Sequence, residues 1–131
     1  MPRFLAYCWA APVSALGLLW AVCAIPGGGR VRTIDGVLEV AGGLPARLLR
    51  RMPCAGPVAA MTLGHVVVGV SEEGLDRTRS HERVHVLQTE RWGALFLLVY
   101  PLASLLAWLG GGDAYRDNRF YREARALAGE A

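Results

Sequence analysis

Residues 4–29 carry no charge. No other feature restricts the chain as much, because an apolar run of this length suits one membrane-spanning helix, for which about 20 residues suffice. Tyr7, Trp9 and Trp20 are aromatic residues of the kind that sit at membrane interfaces, and Pro12 is tolerated in a membrane helix. The rival reading is a cleaved secretory signal, since Arg3 precedes the run and Val22, Cys23 and Ala24 form a poor small-residue cleavage site. The run is long for a signal, which favours a retained transmembrane anchor over residues 1–29 and a single small domain over 30–131.

A second uncharged run covers residues 92–112, with Pro101 near its middle and Gly110, Gly111 and Gly112 at its end. The two runs account for a mean hydropathy of +0.31 in 131 residues. The chain is too short for two ordinary domains and too apolar to be disordered. Its 14 basic residues are all arginine and its net charge is only +3. With no basic run interleaved with aromatics, nucleic acid is not an expected partner. Cys8, Cys23 and Cys54 are odd in number and form no CxxC, so neither a disulfide framework nor a paired-thiolate site follows.

Between the runs the pattern is that of a small α+β domain. Asp35 and Gly36 separate two β-rich segments, 31–34 and 37–40, which is a hairpin signature. Residues 45–52 fit a short helix whose Arg47, Arg50 and Arg51 either reach lipid phosphates or form a solvated basic turn. Residues 53–57 read as a loop. Residues 59–70 read as one strand bent at Gly64 and Gly69, giving a short antiparallel sheet of about three strands. Ser71 caps a helix that has Glu72 and Glu73 in its first turn and continues to at least Arg91. A last helix, residues 119–128, starts at Asp117 and Asn118.

The chemistry lies on the helix after Ser71. Residues 81–85 read His, Glu, Arg, Val, His, which is H-E-x-x-H. Side chains at i and i+4 share a helical face, so His81 and His85 can bind one Zn2+ while Glu82 serves as general base. Zinc brings the pKa of a bound water to about 7, within reach of such a base.

With this motif the chain resembles the zincin metallopeptidases, whose HExxH helix lies beneath a small sheet and whose third ligand comes from a downstream segment. More narrowly it resembles a small family of uncharacterised bacterial membrane-associated proteins. The residues that carry this likeness are 5–10, 35–40, 60–67, 81–85, Gln88, 90–93 and 115–118. The resemblance implies a zincin-like fold and peptidase activity, but no particular substrate.

In that family the tail reads asparagine, proline, phenylalanine, glutamate, arginine, glutamate, alanine. Here the first glutamate is replaced by Tyr121 and the second is kept as Glu123. A glutamate three residues after Asn118 would complete a capping box, so its loss reads as a lost cap and Glu123 as the third metal ligand. Asp117, Asp113 or no protein ligand at all are the alternatives. His65, on the strand before the motif, either lines the substrate site or makes structural hydrogen bonds. Gln88 lies near the metal face or supports the helix.

Ligands before and after the second apolar run can share a metal only if that run turns back. The expectation is therefore an apolar helical hairpin over 92–112, reversing at Pro101, or a segment packed at the interface. Each arm of about nine residues reaches roughly 14 Å, half of a bilayer core. All arginines but Arg3 follow the first run, which places the domain on the cytoplasmic side of a bacterial inner membrane. A cleaved signal would reverse this.

The sequence thus points to a membrane-associated zinc metallopeptidase-like protein that hydrolyses peptide bonds at the membrane surface. Its partners would be membrane lipid and a peptide or protein substrate pairing with the 59–70 strand. The alternatives are a non-catalytic membrane protein that uses a zincin-like frame for folding or partner binding, and a two-span protein in which HExxH is fortuitous.

Overall fold

The computed structural model describes residues 2–51 and 59–129. Helix α1 (Arg3–Ala24) leads through a short 3-10 turn into strands β1 (Arg30–Ile34) and β2 (Val37–Ala41). Helix α2 (Gly43–Arg50) follows, and then β3 (Ala60–Leu63) and β4 (Val66–Gly69). The chain ends in α3 (Glu72–Trp92), α4 (Phe96–Leu109) and α5 (Arg119–Leu127). The loop expected over 53–57, with Cys54, lies outside the described residues.

The expected first hairpin is present. Asp35 and Gly36 both take positive φ, +52° and +78°, the pairing that a two-residue turn matched to strand twist requires. The segment 59–70 differs from expectation: it is a second hairpin, β3 and β4, turning at Gly64 and His65. Sheet order is β1-β2-β4-β3, with β2 and β4 parallel and the other pairs antiparallel. The sheet among the described residues is thus four-stranded and mixed rather than three-stranded and antiparallel. Val66, Val67 and Val68 are all buried, so no polar alternation marked the turn.

Helices cover both faces of this sheet. Val13, Ala21 and Ala24 of α1 pack on Val40, Leu63, Val66 and Val68. On the other face Leu75 and Val86 of α3 pack on Val37, Ala41, Ala60 and Val67. The stripe Ala6, Ala10, Val13, Gly17, Ala21 and Ala24 repeats every three or four residues and is buried along the whole of α1. A Cβ on Gly17 would sit 2.6 Å from the Val66 Cβ, so glycine allows this close approach. The segment 1–29, expected to be an anchor, thus includes a helix, α1, that packs on one face of the sheet.

Ser71 caps α3 as expected, its Oγ accepting the Gly74 N–H at 3.0 Å. The apolar hairpin expected around Pro101 is instead one helix, α4, with Pro101 inside it. The chain changes direction at Gly93, which has φ +61° and packs so tightly on the Trp9 ring that no Cβ would fit. A proline inside a helix removes one hydrogen bond, whereas a left-handed glycine redirects the backbone. The His85 and Tyr100 rings lie 5.7 Å apart, although 15 residues of straight helix would separate them by about 22 Å.

The tail then runs back along α4. Asn118 is fully buried and donates to Tyr100 O and Ser104 Oγ, while its Oδ1 caps α5 at the Phe120 N–H. Phe120 joins Phe96 and Ala103 in a third apolar cluster. The helical stretches Arg3–Gly27 and Glu72–Leu109 are long and apolar enough to cross a membrane.

Candidate functional site

His81, Glu82 and His85 are all buried, on the part of α3 that lies between β3 and α5. The two imidazole Nε2 atoms face each other at 3.2 Å. Two nitrogens bound to one tetrahedral zinc at 2.0–2.1 Å are about 3.3 Å apart, so the pair is already at ligand spacing.

Gln88 settles which nitrogen of His85 carries hydrogen. Its Nε2 donates to the Phe120 carbonyl at 3.0 Å, which leaves Oε1 facing His85 Nδ1 at 2.7 Å. An amide oxygen only accepts, so Nδ1 carries a hydrogen, and Nε2 of the neutral ring then accepts a hydrogen bond from His81 Nε2. A second-layer partner of this kind is what orients a metal-binding histidine.

Glu82 is held from the sheet. Thr62 of β3 donates its hydroxyl hydrogen to Glu82 Oε2 at 2.7 Å. Sequence reasoning missed Thr62, because nothing but strand pairing brings it to the motif. The same holds for Glu39 of β2, a buried carboxylate that anchors the helix from below. Arg79 grips it with two bonds, 2.8 and 2.9 Å, and Arg83, the third residue of the motif, adds one at 3.0 Å. Arg32 completes the cluster at 3.2 Å and also pairs with Asp76. Burial pushes the Glu39 carboxyl up, but the hydrogen bond and charge of Arg79, with the charges of Arg83 and Arg32, outweigh it and hold it below the ordinary range.

The expected third ligand is not brought in. Among the described residues, no group of three or more histidine, cysteine, aspartate or glutamate side chains gathers at a possible metal position. Tyr121, rather than Glu123, is the tail residue whose ring packs on His81, at 4.7 Å between centroids. Asn118 caps α5 with its own side chain, as its place at the start of the helix leads one to expect. Asp113 and Asp117 are occupied within their turn. Asp113 accepts the N–H groups of Arg116 and Tyr115, which hold its carboxyl below the ordinary range, and Asp117 accepts the Asp113 N–H.

His65 is also elsewhere. It is buried at the β3–β4 turn, stacks on Tyr7 at 4.0 Å, and pairs through Nε2 with Glu90 at 2.8 Å. Its N–H donates to Ser14 Oγ, so it ties α1 and the end of α3 to the sheet and does not line the cleft.

That cleft has a volume of about 200 Å³ and opens beside Glu82 and His85. Val13 of α1, Leu63 of β3, and Phe96, Leu97 and Pro101 of α4 form its apolar walls. Thr62 adds a hydroxyl and Tyr100 and Tyr115 add phenols. β3 is an edge strand. The bond from Val70 N–H to Ala59 O fixes the alternation of the β3–β4 ladder, so that the peptide groups of Ala60 and Thr62 face away from β4.

Comparison of the chain with protein-family models, curated proteins and solved structures gives no match.

Proposed function

We propose that this is a zinc-dependent metallopeptidase-like protein acting on an extended peptide at a membrane surface. The observation that carries the reading is the His81–His85 pair, at ligand spacing and with the His85 tautomer fixed by Gln88. His81 Nε2 and His85 Nε2 would hold the metal, and their chemistry suits zinc. Zinc, when bound, supplies a Lewis acid that polarises a carbonyl and acidifies water.

The protein's own groups do the rest. Glu82, with Oε2 fixed by Thr62, takes a proton from the attacking water and returns it to the leaving amine nitrogen. The outward peptide groups of Thr62 can pair with a substrate strand laid across the cleft. The apolar walls exclude water and select an apolar segment. The cytoplasmic side of a bacterial inner membrane is supported by the arginines that follow the first apolar run, among them Arg47, Arg50 and Arg51, which are exposed on or just after α2.

The test is the metal content and peptidase activity of purified full-length protein beside His85→Ala and Glu82→Gln. We expect about one zinc per chain in wild type and Glu82→Gln, loss of zinc in His85→Ala, and loss of cleavage in both variants. Folded wild type that takes up no zinc would overturn the reading and leave a zincin-like frame used for folding or partner binding.

A further inference from the structure

We propose that the protein is monotopic, with α1 lying along one leaflet of the bilayer, its outer face in the hydrocarbon, rather than crossing it. The inference does not depend on metal or on peptidase activity.

The layering carries it. A helix that crosses a membrane as an anchor is free to face lipid all round, but α1 is buried along one side from Ala6 to Ala24, on the sheet through Val13, Ala21 and Ala24 and, in its first half, on the Gly93 turn and the end of α3. Whatever α1 enters, the sheet enters beside it. The far face of that sheet bears Glu39 and Arg32, which pair with Arg79, Arg83 and Asp76 of α3, and α3 presents Asp76 and Arg77 to solvent beyond them. If α1 stood across the bilayer, these charges would lie at hydrocarbon depth, at a cost of about 2.5 kcal/mol or more for each one near the centre. With α1 flat on the surface the order becomes lipid, α1, sheet, α3, water. Every charge of the Glu39 cluster is then on the water side.

The face of α1 opposite the sheet is built for lipid. Leu5, Leu18, Leu19 and Val22 are all about half exposed or more. α4, which shares the cleft walls with α1, exposes Leu98, Leu102 and Leu106 in the same way. α2, packed near the end of α1, adds exposed Leu44 and Leu48 beside Arg47 and Arg50. That is the composition of a helix resting among anionic headgroups. The occupant of this face is thus an anionic lipid leaflet.

Two native cysteines supply the test, since Cys8 and Cys23 are both exposed on α1. A fluorophore is placed at one site at a time, Cys8, Cys23 or an introduced Leu16→Cys, with the remaining cysteines changed to serine. The full chain is reconstituted in phosphatidylglycerol-containing vesicles, and quenching by lipids spin-labelled near the headgroup or near the chain end gives each depth. A flat α1 gives three similar depths. A crossing α1 puts residue 16 about 10 Å deeper than residue 23, because seven helical residues separate them, and this result would overturn the proposal. So would the absence of lipid quenching at all three sites. The result is the same whichever way the protein is inserted, so mixed orientation does not blur it.

Discussion

The two faces of the sheet solve the same packing problem with opposite materials. Against α1 the contact is made of alanines, a glycine and valines, and its fit rests on how closely two backbones approach. Against α3 the apolar contact is narrower, and Glu39 with Arg79 and Arg83 fixes how the helix is turned and how far it slides. An apolar face rewards contact but distinguishes poorly between neighbouring registers, whereas a buried carboxylate with a two-pronged arginine accepts one arrangement. The helix that carries His81, Glu82 and His85 is the one held by the charged cluster.

The largest expected effect comes from breaking that cluster. Glu39→Ala leaves Arg79 and Arg83 without their shared partner and should lower unfolding stability by about 3 kcal/mol, the lower end for a buried pair because the arginines are partly solvated. Zinc uptake should weaken with it, which denaturant titration and metal analysis would show together. If stability fell but zinc uptake were untouched, the cluster would be a staple and not a guide.

Gly17→Val tests the other face. The added carbons have no room against Val66 and Leu63, so a loss of about 2 kcal/mol is expected, with the His81–His85 spacing intact in the part that stays folded. Equal loss of metal binding at equal loss of stability in the two variants would erase the contrast between the faces.

The smallest effect is in pH. Glu39 has its folded pKa below its unfolded value, so its stabilising contribution is complete above the unfolded pKa of about 4.3 and is lost as pH falls through the folded value. Denaturant midpoints measured from neutral pH down should therefore drop more steeply below about pH 4.3 in wild type than in Glu39→Gln. Parallel curves would show that the arginines do not hold this carboxylate in its charged form.

What could be read from the sequence was what is encoded locally. The Asp35–Gly36 turn, the Ser71 cap and the shared face of His81 and His85 depend on residues a few positions apart, and all three are present. Features set by distant partners were not legible. The Gly64 turn lay within uniformly buried valines, and Thr62 meets Glu82 only because the sheet lies across α3. Gly93 outweighed Pro101 as the place of reversal because it had to accommodate Trp9, a residue 84 positions earlier in the chain. Choosing between positions 121 and 123 required knowing which side of α5 faces α3, and two residues turn a helix by about 200°.

Gln88 has an effect on the chain's architecture out of proportion to its size. An amide has one oxygen and one nitrogen, and by giving the nitrogen to Phe120 it can offer His85 only the oxygen. The protonation pattern of a residue on α3 is thereby written by a carbonyl 35 positions later in the chain. A protein cut before residue 120 would keep every letter of its HExxH motif and lose the instruction that tells the second histidine which way to be a base.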